Sequence, residues 1–177
     1  MLPFLGAHRT FLKLQAWESA RHGEPEIRLL PYLVDPQRIA LDIGAAEGIY
    51  SLHLQQLAKR CVAFEPNPSS HAALKRALPE VECLQAAVSA RDGYTVLRIP
   101  VVNGIPYGGW GTIEPNNQLA ELPPHDIEEV RVRTICLDSL AGISSLIAKN
   151  LPNLLIEVGD AQRGGSFAEM RYAEFGR

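Results

Sequence analysis

The run Ala40 to Tyr50, ALDIGAAEGIY, constrains the fold of this chain more than any other stretch. Ile39, Leu41 and Ile43 alternate with Ala40 and Asp42, which reads as a short buried strand. The strand breaks at Gly44, and a second glycine, Gly48, opens an apolar segment with helical spacing. A strand, a glycine-rich turn and a helix, in that order, bring backbone N–H groups and a helix N-terminus up to a ligand. The next strand-like run, Cys61-Val62-Ala63-Phe64, ends in Glu65. An acidic residue about 20 positions after such a turn, at the tip of the second strand, is placed to accept hydrogen bonds from ribose hydroxyls. The pattern predicts a nucleoside-cofactor pocket.

The flanking sequence reads as alternating helix and strand. Phe11, Leu14, Trp17 and Arg21 predict an amphipathic helix over 11–21. Glu26 to Val34 is a short helical stretch broken by Pro31 and closed by Asp35-Pro36. Residues 1–38 thus form a helical lead-in, and 39–177 the main domain. After the glycine turn, Tyr50, Leu54, Leu57 and Ala58 share one face of a crossover helix. Asn67-Pro68 supplies an N-cap followed by proline at the first helical position. Strands are predicted at Val81 to Ser89, at Tyr94 to Ile99 (stopping at Pro100), at Val130 to Thr134 and at Leu154 to Val158, with a helix over Leu140 to Lys149. The order predicts an α/β fold with a doubly wound, mostly parallel, Rossmann-like sheet. Between Val101 and Pro124 a long Gly- and Pro-rich loop carries Tyr107 and Trp110, candidates for a substrate lid.

Composition narrows the partners. A net charge of −3 over 177 residues gives no electrostatic reason to expect nucleic acid or an acidic membrane surface. No apolar run is long enough to span a bilayer, and Pro3 with no preceding basic region argues against a secretory signal. Cys61, Cys83 and Cys136 lie far apart in strand-like runs and read as reduced, buried thiols of a cytoplasmic protein. The histidines form no motif; His53 and His71 fall in helices, at the expected surface, and no metal site is predicted.

Four stretches carry a family likeness: LDIGAAEGIYSL from Leu41, VAFEPNP from Val62, LQAAVSARDG from Leu84, and the pair GGWGTIE from Gly108 with RTICLDSL from Arg133. In their order and spacing the chain resembles the FkbM-type family of class I methyltransferases, which use S-adenosylmethionine (SAM). The resemblance implies that Asp42, Gly44, Ala45 and Gly48 hold the methionine and ribose part of that cofactor. It further implies that Glu65 takes the ribose hydroxyls with Asn67 beside it, and that Gln85 and Ala86 border the adenine. The family's isoleucine-aspartate-valine-glutamate-glycine run on the fourth core strand has no copy here. Either Leu155 to Ala161 fills that place, with Glu157 where the family has aspartate, or the same residues match a later strand and the fourth is absent. Omitting an inner strand would leave its neighbours' ladder groups unpaired at roughly 1–3 kcal/mol each. Leu154 to Val158 is therefore expected against the first strand. Under either alignment the chain stops before the C-terminal β-hairpin of complete class I methyltransferases, so the domain reads as incomplete.

These readings converge on SAM-dependent methylation of a small-molecule acceptor, with O-methylation of a sugar or natural-product hydroxyl implied by the resemblance. Glu157, at the end of an inner strand, is the candidate catalytic carboxylate. Two other classes stay open. One is a dinucleotide-dependent oxidoreductase, disfavoured because GAAEG lacks the three-glycine fingerprint. The other is a truncated, non-catalytic nucleoside-binding domain. Unpaired sheet edges beside a short tail would favour a homo-oligomer.

Overall fold

The computed structural model describes residues 3–22, 25–115, 117, 126–137 and 153–156. Its strands are β1 (Ile39–Ile43), β2 (Arg60–Phe64), β3 (Glu82–Leu84), β4 (Ala87–Val88), β5 (Gly93–Val102), β6 (Ile105–Pro106), β7 (Asp126–Ile135) and β8 (Asn153–Ile156). Four of them make a parallel sheet in the order β3-β2-β1-β8. Ile39 to Asp42 are buried, as an inner parallel strand covered on both faces requires. Parallel neighbours need crossovers, and α3 (Ile49–Leu57) and α4 (Pro68–Ala77) supply them between β1, β2 and β3. The winding then reverses. β8 lies on the other side of β1, from Ala40↔Asn153 to Ile43↔Ile156, which is where the sequence predicted the last buried strand. Reversal of strand order leaves a crevice at the carboxyl ends of the strands, the usual ligand position in such sheets. The predicted helix at Leu140 to Lys149, Glu157 and the C-terminal hairpin question all lie outside the described residues.

Successive strand residues face opposite sides, and this sheet uses them differently. Ala40, Cys61 and Ala63 are small and let the helices sit close, in one core with Leu52, Leu54, Leu74 and Leu78. Ile39, Leu41, Val62 and Phe64 fill the other face, against Val88 and Leu137. The lead-in joins the first of these cores. α1 (Pro3–His22) inserts Leu12 and Ala16, and α2 (Leu30–Leu33) inserts Leu30. Pro31 does not break this second helix; it sits in the first turn of α2, where its missing N–H costs nothing. The predicted helix of 11–21 is present, but it turns the other face inward. Phe11, Leu14 and Trp17 are 60, 61 and 57 % exposed. The Trp17 ring is covered instead by the Arg21 guanidinium, 4.6 Å from its centroid. Ala16 at the contact lets α1 approach α3 and α4 in a way that an indole would not.

The predicted strand Val81 to Ser89 is divided. β3 stays in the parallel sheet, whereas β4 pairs with β7 in a second sheet of order β4-β7-β5-β6. The break is a pinch: Ala86 N–H donates to the Leu84 carbonyl at 2.9 Å, and Glu65 N–H donates to the same oxygen at 3.0 Å. β5 also runs further than expected, through Pro100 to Val102. Pro100 turns its carbonyl towards β6, where it accepts Tyr107 N–H at 2.8 Å, so its missing N–H falls on that side and leaves the ladder to β7 intact. Asn103 and Gly104, both left-handed with φ of 53° and 77°, close the turn into β6. The first part of what reads in the sequence as one long loop, as far as Trp110, is thus a hairpin followed by a short turn.

Candidate functional site

β1 and β2 end level, with Ile43 opposite Phe64. Just beyond, Gly44 and Ala45 both donate N–H to the Phe64 carbonyl, at 3.0 and 3.1 Å, folding the glycine turn over the tip of β2. The turn passes through three left-handed residues, Gly44, Ala46 and Gly48, with φ of 80°, 47° and 97°. Ala46 in that conformation aims its N–H at Glu65 Oε2, 2.7 Å away. The other carboxylate oxygen, Oε1, accepts Asn67 N–H at 2.7 Å. Glu65 is buried and spans the turn after β1 and the start of α4, so the two residue groups singled out from spacing do meet.

The remaining cofactor candidates fall around this bridge in distinct ways. Asp42 is buried, and its Oδ2 accepts the Ser51 hydroxyl at 2.5 Å, tying the end of β1 to the first turn of α3. Ser51 was not picked out from the sequence; the available signal was a small polar residue on the buried side of a predicted crossover helix. Ala45 is buried. Gly44 borders open space, with nothing within 4 Å of the point where a Cβ would stand, whereas a Cβ on Gly48 would meet Leu74 Cγ at 3.1 Å and Leu78 Cδ1 at 3.3 Å. Gly48 therefore has a packing role whatever the turn binds. Asn67 caps α4, its Oδ1 accepting Ser69 N–H at 3.0 Å. Gln85 is exposed at the end of β3 and Ala86 is buried beside it.

On the other side of α4's first turn stands the segment with the two aromatic candidates. Gly108–Trp110 forms a 3-10 turn, closed by Trp110 N–H to Tyr107 O and Gly111 N–H to Gly108 O, both at 3.1 Å. Gly108 lies against α4: an added Cβ would stand 2.7 Å from Asn67 Nδ2 and 3.0 Å from Ser70 Oγ. Tyr107 and Trp110 are 44 and 50 % exposed. The segment is strapped rather than loose. Arg98 and Thr112 exchange both backbone hydrogen bonds at 2.9 Å, and the Arg98 guanidinium donates to the carbonyls of Glu114 and Asn117. Arg98 carried no sequence signal beyond its place in an alternating strand.

The nearby titratable groups are poor nucleophiles. Burial, and then the charge of Asp42, push the Cys61 thiol up to about 12. Burial and the charge of Glu65 do the same to Cys83, also to about 12. His53 and His71 are half-buried rather than at the surface. His71 Nε2 lies 3.3 Å from the Cys83 carbonyl, whereas His53 Nε2 has no hydrogen-bond partner among the described residues, and burial lowers its pKa. Among the described residues no group of three or more His, Cys, Asp or Glu could hold a metal ion, and no helix is long and apolar enough to cross a membrane. The arrangement offers a buried carboxylate and exposed backbone at a strand-end rim, suited to gripping a vicinal diol.

No protein-family profile matches this chain, and no curated protein matches it. Among solved structures it is similar to Thermoplasma acidophilum 1320, at 20 % identity and a TM-score of 0.32, over 43 % of this chain and 44 % of that one. It is also similar to the 23S rRNA methyltransferase ErmE, at 14 % identity and a TM-score of 0.31, over 60 % of this chain and 66 % of that one. The likenesses thus span less than two thirds of either protein, and at these TM-scores neither bears on what this chain binds.

Proposed function

We propose that this chain is a SAM-dependent methyltransferase of the FkbM type that methylates a hydroxyl of a small molecule, a sugar or natural product. The observation that carries the reading is the Glu65 carboxylate, held at 2.7 Å by amides from both the glycine turn and the start of α4, at the level ends of β1 and β2. Ribose hydroxyls are donors that a carboxylate so placed can accept. The open side of Gly44 gives the cofactor's backbone approach, which a side chain there would obstruct. The sulfonium cofactor supplies an activated methyl group. The chain's own work is then alignment: Glu65 fixes the sugar, and Asp42 braces the turn through Ser51. Tyr107 and Trp110 flank the acceptor and exclude water. Glu157 takes the proton that the acceptor hydroxyl releases. The acceptor is a small molecule, the setting is the cytosol, where the three free thiols stay reduced, and self-association through sheet edges belongs to the same reading.

Calorimetric titration with SAM, and separately with NAD, tests this. The wild type is expected to bind SAM and not NAD. Glu65→Ala is expected to lose about ten-fold or more in affinity, since a hydrogen bond to a charged group is worth about 1.5–3 kcal/mol. Equal affinity in the variant would remove Glu65 from the site, NAD binding would move the chain to the oxidoreductases, and binding of neither would sink the reading.

A further inference from the structure

Asn67 belongs to both halves of the rim. Its backbone N–H holds Glu65 Oε1 at 2.7 Å, and its side chain caps α4 through Ser69 N–H at 3.0 Å. The outer side of that amide is where Gly108 packs, so closely that a Cβ would stand 2.7 Å from Nδ2. Asn67 is buried and committed to its cap, so it has little freedom to yield. The neighbouring Gly109 has nothing within 4 Å, so the close approach is specific to one position of the turn. The turn itself is fixed from behind by Tyr107 N–H on Pro100 and by Arg98. A shift of the turn therefore presses on Asn67, and a shift of Asn67 moves one of the two amides on the Glu65 carboxylate.

We propose that Gly108 is a positioning residue: through Asn67 it couples the turn bearing Tyr107 and Trp110 to the grip on Glu65. This rests on the reading of the Glu65 rim as the ribose site. Coupling of this kind is reciprocal, so SAM bound at Glu65 sets the turn for the acceptor, and the turn sets the affinity for SAM.

The test compares the wild type with Gly108→Ala, Gly109→Ala, Asn67→Ser and the double variant Asn67→Ser/Gly108→Ala. Serine keeps a capping oxygen and removes the amide that the new Cβ would strike, while the Ser70 hydroxyl can rotate aside. Two readouts are taken: amide exchange of Ala46 and Asn67 without ligand, and calorimetric SAM affinity. Gly108→Ala is expected to speed Asn67 exchange and weaken SAM binding, each by at least about five-fold, the low end for coupled sites. Gly109→Ala should change neither, and the double variant should return to within about two-fold of Asn67→Ser alone. Unchanged Asn67 exchange in Gly108→Ala, or a loss that Asn67→Ser does not repair, overturns the coupling. Should Gly108→Ala fail to fold, the double variant against Asn67→Ser decides, and a residual loss of five-fold or more there also overturns it. A wild type that binds no SAM sinks the methyltransferase reading by itself, and the exchange data still decide the coupling.

Discussion

The two glycines of the turn have different reasons to be glycine, and replacing each with alanine separates them. Both are left-handed, φ 80° at Gly44 and 97° at Gly48, a conformation that costs a residue with a Cβ about 1–2 kcal/mol. Both substitutions also recover about 0.4–1 kcal/mol by restricting the unfolded chain. These two contributions nearly cancel in the comparison, leaving the packing difference. At Gly44 the new methyl enters open space, whereas at Gly48 it meets Leu74 and Leu78 at 3.1 to 3.4 Å. Both leucines are fully buried in the core, so neither can swing away, and overpacking of this kind costs about 1–3 kcal/mol. Urea unfolding with linear extrapolation should therefore show Gly48→Ala less stable than Gly44→Ala by about 1–3 kcal/mol, with the same slope in both. Binding should rank them the other way, since only the Gly44 methyl intrudes on the rim. A Gly48→Ala protein as stable as Gly44→Ala would refute the packing argument and return Gly48 to the ligand side of the turn.

Three further outcomes follow from buried polar groups. Ser51→Ala removes the hydroxyl that donates to Asp42 and should cost about 1.5–3 kcal/mol, lowering Tm by about 3–12 °C for a domain of this size; a drop under about 1 °C would mean the pair ties nothing. The Cys61 thiol is raised from 9.0 to about 12, so its neutral form is favoured in the folded state. That contribution is fully present below about pH 9 and is lost as pH rises towards 12, by up to about 1.4 kcal/mol per pH unit; urea midpoints should fall less steeply with pH in Cys61→Ala, and parallel slopes would contradict this. Burial lowers the pKa of His53, which contributes stability above its ordinary value of 6.5 that is lost as pH falls through the lowered one. His53→Gln should flatten that acid limb below about pH 6.5, and an unchanged limb would place the sensitivity elsewhere.

What the sequence made legible was local. The glycine turn, the N-cap at Asn67 and the acidic tip of β2 each depend on residues a few positions apart, and their spacing carries them. α1 was legible as a helix but not as an orientation, because it carries two apolar stripes. Leu12 and Ala16 lie inside while Phe11, Leu14 and Trp17 lie outside, and only the shape of α3 and α4 decides between them. The division of VECLQAAVS has no turn residue to announce it; it follows from two N–H groups converging on Leu84 O, one from Ala86 and one from Glu65 just past the end of β2. Pro100 misled for a similar reason, since the rule that proline ends a strand holds only where its N–H is needed by a partner.

The long-range half of the site depends on that division. Because β4 leaves the parallel sheet to pair with β7, the following β5 is carried off in a second sheet, held to β7 over nine registered pairs from Gly93↔Thr134 to Val101↔Asp126. A ribbon so extensively paired is stiff, and at its Arg98 to Pro100 end it projects the segment with Tyr107, Gly108 and Trp110 back towards the parallel sheet. There it meets the first turn of α4, the point that Glu65 already ties to the glycine turn. The rim is thus built from one side by residues close in sequence and from the other by a strand pairing that no short-range pattern encodes. A change in β5 or β7 that slips their register should move the aromatic segment off Asn67 and so speed amide exchange there, while the Glu65 bridge to Ala46 stays in place; unchanged exchange at Asn67 would refute this.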